Sequence, residues 1–416
     1  MVSKIVVGRS AKSEFMTLPA AMTGPPPYPC RRRQRKDHGM SAAPSYRRQR
    51  HLLGGADGRG NRRGTLLSRT LRPPEHRHLP VGPAVAPLDE DSREPRMKRL
   101  LLASLIASAL LPAAARAADP TELTVMSFNI WGGGANDGKP VDETVAAIKA
   151  VNPDIVALLE TQPEPDPCDA DNCVPTGASV AKAIAERLGY FHYDQTKRNP
   201  ALWGGAILSR YPIVQPTAND LGVQIDVKGR KVFAYSLHLP DFPYQPYQLL
   251  GIEYGPAPFF KTADEAVAAA KAARGPAMDL FMQDLKAADG ADAVFVFGDF
   301  NEPSHLDWTE AVAKAGGQPL AVAWPTSLRM TGEAGFLDLF RVANPDPVQK
   351  PGLTWTTTSE PSDPSDHHDR IDFTYGRAAG LSVLKAGIVG EKAPEADIVV
   401  TPWPSDHRAS MAVVRF

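Results

Sequence analysis

The chain has 416 residues, with 46 Lys and Arg against 47 Asp and Glu and a formal net charge of −1, a length that suits one large or two ordinary domains. That near-neutral total averages two unlike parts: residues 1–96 hold 19 Lys and Arg against 8 Asp and Glu, whereas residues 118–416 hold 24 against 39, a net of −15. The acidic part therefore lacks the broad positive field that favours non-specific nucleic-acid binding.

Residues 1–96 contain basic clusters such as "CRRRQRK" and "GRGNRRG" and no sustained apolar period. Such a stretch buries too little surface to offset chain entropy, so it is expected to be disordered, or to be an over-extended reading frame. "MKRLLLASLIASALLPAAARAADP" then opens at Met97 with two cations. It runs apolar from Leu100 to Leu111 and ends in Ala115-Arg116-Ala117. That is the pattern of a secretory signal peptide, and its apolar core is too short for a comfortable membrane span. The expected mature chain is residues 118–416, exported to the periplasm or beyond, monomeric and without a transmembrane segment. Cys168 and Cys173 frame "CDADNC" in a Pro-rich loop, which in an exported protein suggests a local disulfide. A zinc site is disfavoured there, because the neighbours are hard oxygen donors.

"LTVMSFNIW" alternates like a strand and ends at Asn129 before three glycines. "VDETVAAIKAVNP" reads as a helix stopped by Pro153, and "DIVALLE" as a buried strand ending in Glu160. "GASVAKAIAERLG" is a helix closed by Gly189; "WGGAILSRYPI" and "KVFAYSLHLP" are strands, the second closing on His238. Residues 264–288 read as helical, broken at Gly275-Pro276. "VFVFGDFNEP" is a strand buried on both faces, followed by a helix in "SHLDWTEAVAKAG" with Ser304 as cap. "GFLDLFRVA" is a short helical turn, and "RIDFTYG", "LSVLKAGIVG" and "ASMAVVRF" complete the strands. Many strands follow one another without a crossover helix, which points to mixed or antiparallel sheets packed together in one domain and covered by helices.

Polar residues recur at the strand ends: Asn129, Glu160, His238, Asp299, Asn301, Asp372 and the closing Ser405-Asp406-His407. Each has an ordinary structural explanation, such as a turn cap, a solvated strand end, a satisfied core histidine, or a salt-bridge partner of Arg370. Together they assemble hard oxygen donors suited to Mg²⁺ or Mn²⁺, with two histidines and an Asp/Asn pair suited to activating water and stabilising a phosphoryl oxyanion.

"SFNIW", "DIVALLE", "ILSRYPI", "SLHLP", "GDFNEP", "RIDF" and "SDH" appear in the order found in the endonuclease/exonuclease/phosphatase superfamily, which the chain resembles over residues 121–416. The resemblance implies the deoxyribonuclease-I-like fold, an α/β four-layer sandwich of two mixed β-sheets flanked by helices. It also implies metal-dependent hydrolysis of a phosphoester. By resemblance, Glu160 is the principal metal carboxylate, with Asn129 and Asp406 completing or supporting the site and Mg²⁺ or Mn²⁺ as the cofactor. Asp299 would orient or deprotonate the attacking water, and Asn301 would hold that water or a phosphate oxygen. His407 would meet the scissile phosphate with its ring fixed by Asp372 or by Asp369, and His238 would lie near the leaving group. His367 and His368 are either substrate contacts or part of a solvated loop.

Residues 241–275 lie between the His238 and Asp299 motifs and hold Phe242, Tyr244, Tyr247, Tyr254, Phe259 and Phe260. They form either a loop over a sheet edge or a wall beside the cleft, with Tyr244, Tyr247 and Arg370 as candidate substrate contacts. Few cations accompany the aromatics, which favours a small or lipid-headgroup phosphoester as substrate. A secreted nuclease acting on DNA or RNA is the alternative, and a non-catalytic binding module is the minor one.

Overall fold

The computed structural model describes residues 120–163 and 177–416. The basic arm, the signal segment at 97–117 and the expected Cys168–Cys173 pair lie outside the described residues.

Strand β1 (Glu122–Asn129) leads through a glycine-rich turn, Trp131–Asp137, to α1 (Val141–Val151). Asn152, in the left-handed conformation, ends that helix one residue before Pro153, which could not have continued it. β2 (Ile155–Leu159), α2 (Ala181–Leu188) and β3 (Phe191–Asp194) follow, with Gly189 closing α2 in the left-handed region. β4 (Ala206–Ser209) and β5 (Ile213–Pro216) are separate strands where the sequence suggested one, and they belong to different sheets. β6 (Gly222–Val227) and β7 (Arg230–His238) form a hairpin, and α3 (Gln245–Leu250) opens the aromatic segment.

The long helix α4 (Ala263–Asp284) starts at a capping box between Thr262 and Glu265 and runs straight through Pro276. The expected break at Gly275-Pro276 is absent because the helix is packed on either side of the proline, Ala266 and Ala270 against Trp308 and Trp324 before it and Ala277, Met278 and Phe281 against the second sheet's aromatic face after it, so packing outweighs the lost hydrogen bond. β8 (Ala293–Asp299) is the opening of "VFVFGDFNEP". The next helix, α5 (Glu310–Lys314), is capped by Thr309 rather than Ser304; the Ser304 hydroxyl instead accepts from the Leu306 N–H. α6 (Pro325–Leu328), β9 (Leu337–Asp338), α7 (Leu339–Ala343), β10 (Asp372–Ala378), β11 (Ser382–Gly390), β12 (Ile398–Val399) and β13 (Ala409–Arg415) complete the chain.

The strands form two mixed sheets, ordered β12-β11-β13-β1-β2-β4-β3 and β5-β6-β7-β8-β10-β9. Their inner faces meet in one apolar core: Leu123, Val125 and Ile155 from the first sheet against Ile225, Phe295 and Phe297 from the second. The first sheet's outer face packs Phe128 and Leu158 on Val145, Ile148 and Ile184 of α1 and α2. The second sheet's outer face packs Tyr235, Val294 and Val296 on α4. The layers are therefore helix, sheet, sheet, helix. "VFVF" is apolar throughout because alternate side chains enter two different cores.

Gly298 joins β7 to β8 where nothing larger fits: a Cβ there would stand 2.0 Å from the Leu237 carbonyl oxygen. Gly298→Ala should force the two strands apart at this point and lower the melting temperature. Beneath the second sheet, Arg370 is fully buried between Asp307 and Asp338, donating to Asp338 Oδ2 at 2.8 Å and to Asp307 Oδ2 at 3.0 Å. Arg370→Leu leaves Asp338 without its guanidinium partner and Asp307 relying on Arg341, and should cost about 3–5 kcal/mol in a denaturant titration.

Candidate active site

Strand register builds the site. β7 runs parallel to β8 with His238 opposite Asp299, and β10 runs antiparallel to β8 with Asp372 opposite Asp299. Three side chains from distant parts of the chain thus stand abreast at one sheet end. In the other sheet, β1 runs parallel to β2 with Asn129 opposite Leu159, which places Asn129 beside Glu160. The Asn129 side-chain amide joins the two groups, donating to Glu160 Oε1 at 2.8 Å and to Asp299 Oδ2 at 3.2 Å. Glu160 and Asn301, the residues just past their strands, both hold left-handed backbone conformations, with φ of 52° and 47°. Such conformations are uncommon outside Gly and concentrate at functional sites.

His407 enters from the last loop. Its Nδ1 lies 2.9 Å from Asp372 Oδ2 and its Nε2 lies 3.6 Å from Asp299 Oδ2. His238 Nε2 lies 3.3 Å from Glu160 Oε1 and 3.9 Å from Asp299 Oδ2. Ser405 secures this loop, donating to the Asn129 carbonyl at 2.7 Å and accepting from the His407 N–H at 3.1 Å. The Thr354 hydroxyl accepts the N–H groups of Ile371 and Asp372, and the Trp355 ring packs 4.9 Å from the His407 ring. Thr354 and Trp355 carried no signal in the sequence, since "TWTTT" resembles any loop.

Asp372, not Asp369, is the acid on the His407 ring. Asp369 is buried elsewhere, accepting from the Tyr244 hydroxyl at 2.7 Å and the Trp308 indole at 2.8 Å. That also corrects the reading of Tyr244 and Tyr247 as substrate contacts. Tyr244 is 4% and Tyr247 8% exposed, and Tyr247 hydrogen-bonds to Asp366, so both rings support the loop from within. Arg370 is equally unavailable, for its guanidinium is consumed by Asp307 and Asp338. His367 Nε2 meets the Gln318 side-chain amide and His368 Nε2 meets Ser359, so both are tied within the protein. Asn301 donates its N–H to Asp299 Oδ1 at 2.9 Å and its side-chain amide to the Leu239 carbonyl at 3.0 Å, which fixes the loop after β8. Asp406, expected among the metal ligands, lies near enough to His407 for its charge to help raise that ring, and the backbone of its loop is held by Thr356 and Thr357.

The model of the endonuclease/exonuclease/phosphatase family matches residues 126–407. The chain belongs to this family. An uncharacterised protein of Caenorhabditis elegans is 29% identical over 311 residues, covering 71% of this chain and 91% of that protein. Among solved structures, C. elegans TDP2 matches at 19% identity, covering 71% of this chain and 75% of that one, with a TM-score of 0.39. An AP endonuclease from Archaeoglobus fulgidus matches at 14% identity, covering 70% and 98%, with a TM-score of 0.40.

In this family member, charge is concentrated where the sheets meet. Burial pushes the Glu160 carboxyl up, but the hydrogen bond and charge of His238, the charge of His407 and the Asn129 amide hold it down at about 2. Burial pulls the His407 ring down, and the charges of Asp372 and Asp299 reverse this and raise it to about 10. Burial with Asp299 nearby pushes Asp372 up to about 6 against the pull of His407. At neutral pH the pair is therefore an imidazolium against a carboxylate. His238 also moves upward, with burial overcome by its hydrogen bond to Glu160 and the charge of Asp299.

A carboxylate oxygen of Glu160, one of Asp299 and a ring nitrogen of His407 all lie within 4.8 Å of one another, and the Asn129 amide adjoins the two carboxylates. Two carboxylates converging on one point are a poor arrangement for a vacant protein interior and a good one for a hard divalent cation, so the donor set fits Mg²⁺ or Mn²⁺. Ser405→Ala removes a side chain that ties the Asn129 backbone to the His407 backbone. It should lower turnover roughly tenfold, the worth of about one buried hydrogen bond, while circular dichroism stays unchanged.

Proposed function

We propose that this family member is an exported, divalent-metal-dependent hydrolase of phosphodiester or phosphomonoester bonds, acting on small or lipid-headgroup substrates. The observation that carries the reading is the meeting of Glu160, Asp299 and His407 at one point, with Asp372 fixed behind His407. Export rests on the signal-like segment at 97–117, and the preference for small esters on the net charge of −15 over residues 118–416.

A cation held by the Glu160 and Asp299 carboxylates, which the Asn129 amide orients, would supply Lewis-acid polarisation of the phosphoryl group. The chain's own residues do the rest. Asp299, its Oδ1 fixed by the Asn301 N–H, presents Oδ2 toward the reaction centre and takes the proton of the attacking water. As the water oxygen bonds to phosphorus, His407 Nε2 hydrogen-bonds to a non-bridging oxygen and offsets its growing charge. Asp372 keeps the ring oriented through Nδ1 and keeps it cationic. His238, facing the same centre from β7, gives its Nε2 proton to the departing alkoxide as the phosphorus–oxygen bond breaks. The products are an alcohol and a phosphate ester or phosphate, and no covalent enzyme intermediate is required.

Plasmid DNA, RNA, sphingomyelin, bis-p-nitrophenyl phosphate and inositol phosphates, each with Mg²⁺ and with EDTA, test the reading. Hydrolysis of a small or lipid-headgroup ester that ceases in EDTA is the expected result. Glu160→Gln should raise the metal concentration needed for half-maximal rate. Asp299→Asn and His407→Ala should each lower turnover roughly 10²-fold or more with the fold intact. Full activity in chelator would overturn the metal assignment. Rapid cleavage of plasmid DNA with a steep loss on adding salt would replace the small-ester reading with a nuclease.

A further inference from the structure

The aromatic segment that follows His238 is sorted by burial into two kinds of ring. Tyr244 and Tyr247 are interior, whereas Phe242 and Tyr254 are only half-buried. The rings are nonetheless one connected set. The Trp355 ring lies 4.9 Å from the His407 ring, and its indole N–H lies 3.3 Å from the Tyr247 hydroxyl. Tyr247 meets Tyr254 edge-on at 6.0 Å, and Tyr254 meets Phe242 edge-on at 5.5 Å. The set therefore begins on the His407 imidazole, which the proposed reaction would set against the phosphate, and ends on two partly exposed rings.

The exposed end is held still. The Tyr254 hydroxyl donates to Asp241 Oδ2 at 2.6 Å. Gly255 lets the Phe242 ring lie against its backbone, since a Cβ there would stand 2.8 Å from Phe242 Cε2. The segment also leaves directly from the reaction centre. The Leu239 N–H donates to the Asp299 carbonyl at 2.9 Å, and the Leu239 carbonyl accepts the Asn301 side-chain amide, only three residues before Phe242. A rigid, half-exposed ring pair attached to a phosphoester site offers flat apolar area at little cost in ordering.

Resting on the hydrolase reading above, we infer that Phe242 and Tyr254 form the subsite for a planar ring carried by one of the alcohols esterified to the phosphate, and that they set the enzyme's preference among esters. The ring chemistry is shared by nucleobases and aryl alcohols, and neither Tyr244 nor Tyr247 takes part directly.

The test compares kcat/KM for three probes: bis-p-nitrophenyl phosphate, a dinucleotide and glycerophosphocholine, which has no ring. Phe242→Ala should lower the ratio of ring-bearing to ringless kcat/KM roughly tenfold, chiefly through KM, as expected for loss of one stacking face. Phe242→Tyr should restore the ratio, and melting curves must show both variants folded. A larger loss of kcat/KM on Phe242→Ala for the dinucleotide than for the aryl diester assigns the ring to a nucleobase, and the reverse to an aryl alcohol. A ratio that Phe242→Ala leaves unmoved overturns the subsite. If the wild-type protein hydrolyses none of the three, the hydrolase reading fails separately. Calorimetric binding of p-nitrophenyl phosphate against glycerol phosphate then decides the subsite: tighter binding of the ring-bearing phosphate that Phe242→Ala abolishes supports it, and equal or absent binding of the two overturns it.

Discussion

Everything in the site depends on strand register at Asp299. A β-strand alternates its side chains with a period of two, so a slip of one residue between β7 and β8 or between β8 and β10 would turn His238 or Asp372 away from Asp299. The register is pinned from both sides. Phe295 and Phe297 are committed to the core between the sheets, Val294 and Val296 to the core under α4, and Gly298 admits the neighbouring Leu237 carbonyl at a distance no side chain would allow. Apolar packing over the length of β8 is thus what holds a polar constellation at its end.

A second constraint is electrostatic. Buried Asp299 and Asp372 and partly buried Glu160 come together where like charges repel strongly. Three devices make this tolerable: the Asn129 amide shared between two of the carboxylates, the His407 imidazolium between Asp299 and Asp372, and His238 against Glu160. In the proposed reaction the same devices would orient each group for transferring a proton or neutralising a phosphate.

The remaining polar residues around the site serve as structure. Arg370 braces Asp307 and Asp338, Asp369 collects the Tyr244 hydroxyl and the Trp308 indole, and Ser405 ties the first strand to the last loop. Such groups are easy to mistake for substrate contacts in the sequence, because a buried Arg with two acid partners and a phosphate-binding Arg are written with the same letter. Only burial distinguishes them, and burial is a property of the folded chain.

The sequence by itself determined the elements and the identity of most of the cluster. The continuous apolar run before Gly298, the alternation before Asn129 and the terminal "SDH" are local patterns, and local sterics and hydrophobic periodicity decide them without reference to distant residues. The continuity of α4 through Pro276, the transfer of β5 to the second sheet, the choice of Asp372 over Asp369 and the split of the aromatic segment into buried and half-exposed rings were decided by tertiary structure. Each of these is settled by a contact between residues far apart in the chain, such as α4 against the face of the second sheet or His407 against a strand that begins 35 residues earlier. No window of sequence contains both partners of such a contact, so the energy that selects the outcome exists only once the chain has folded.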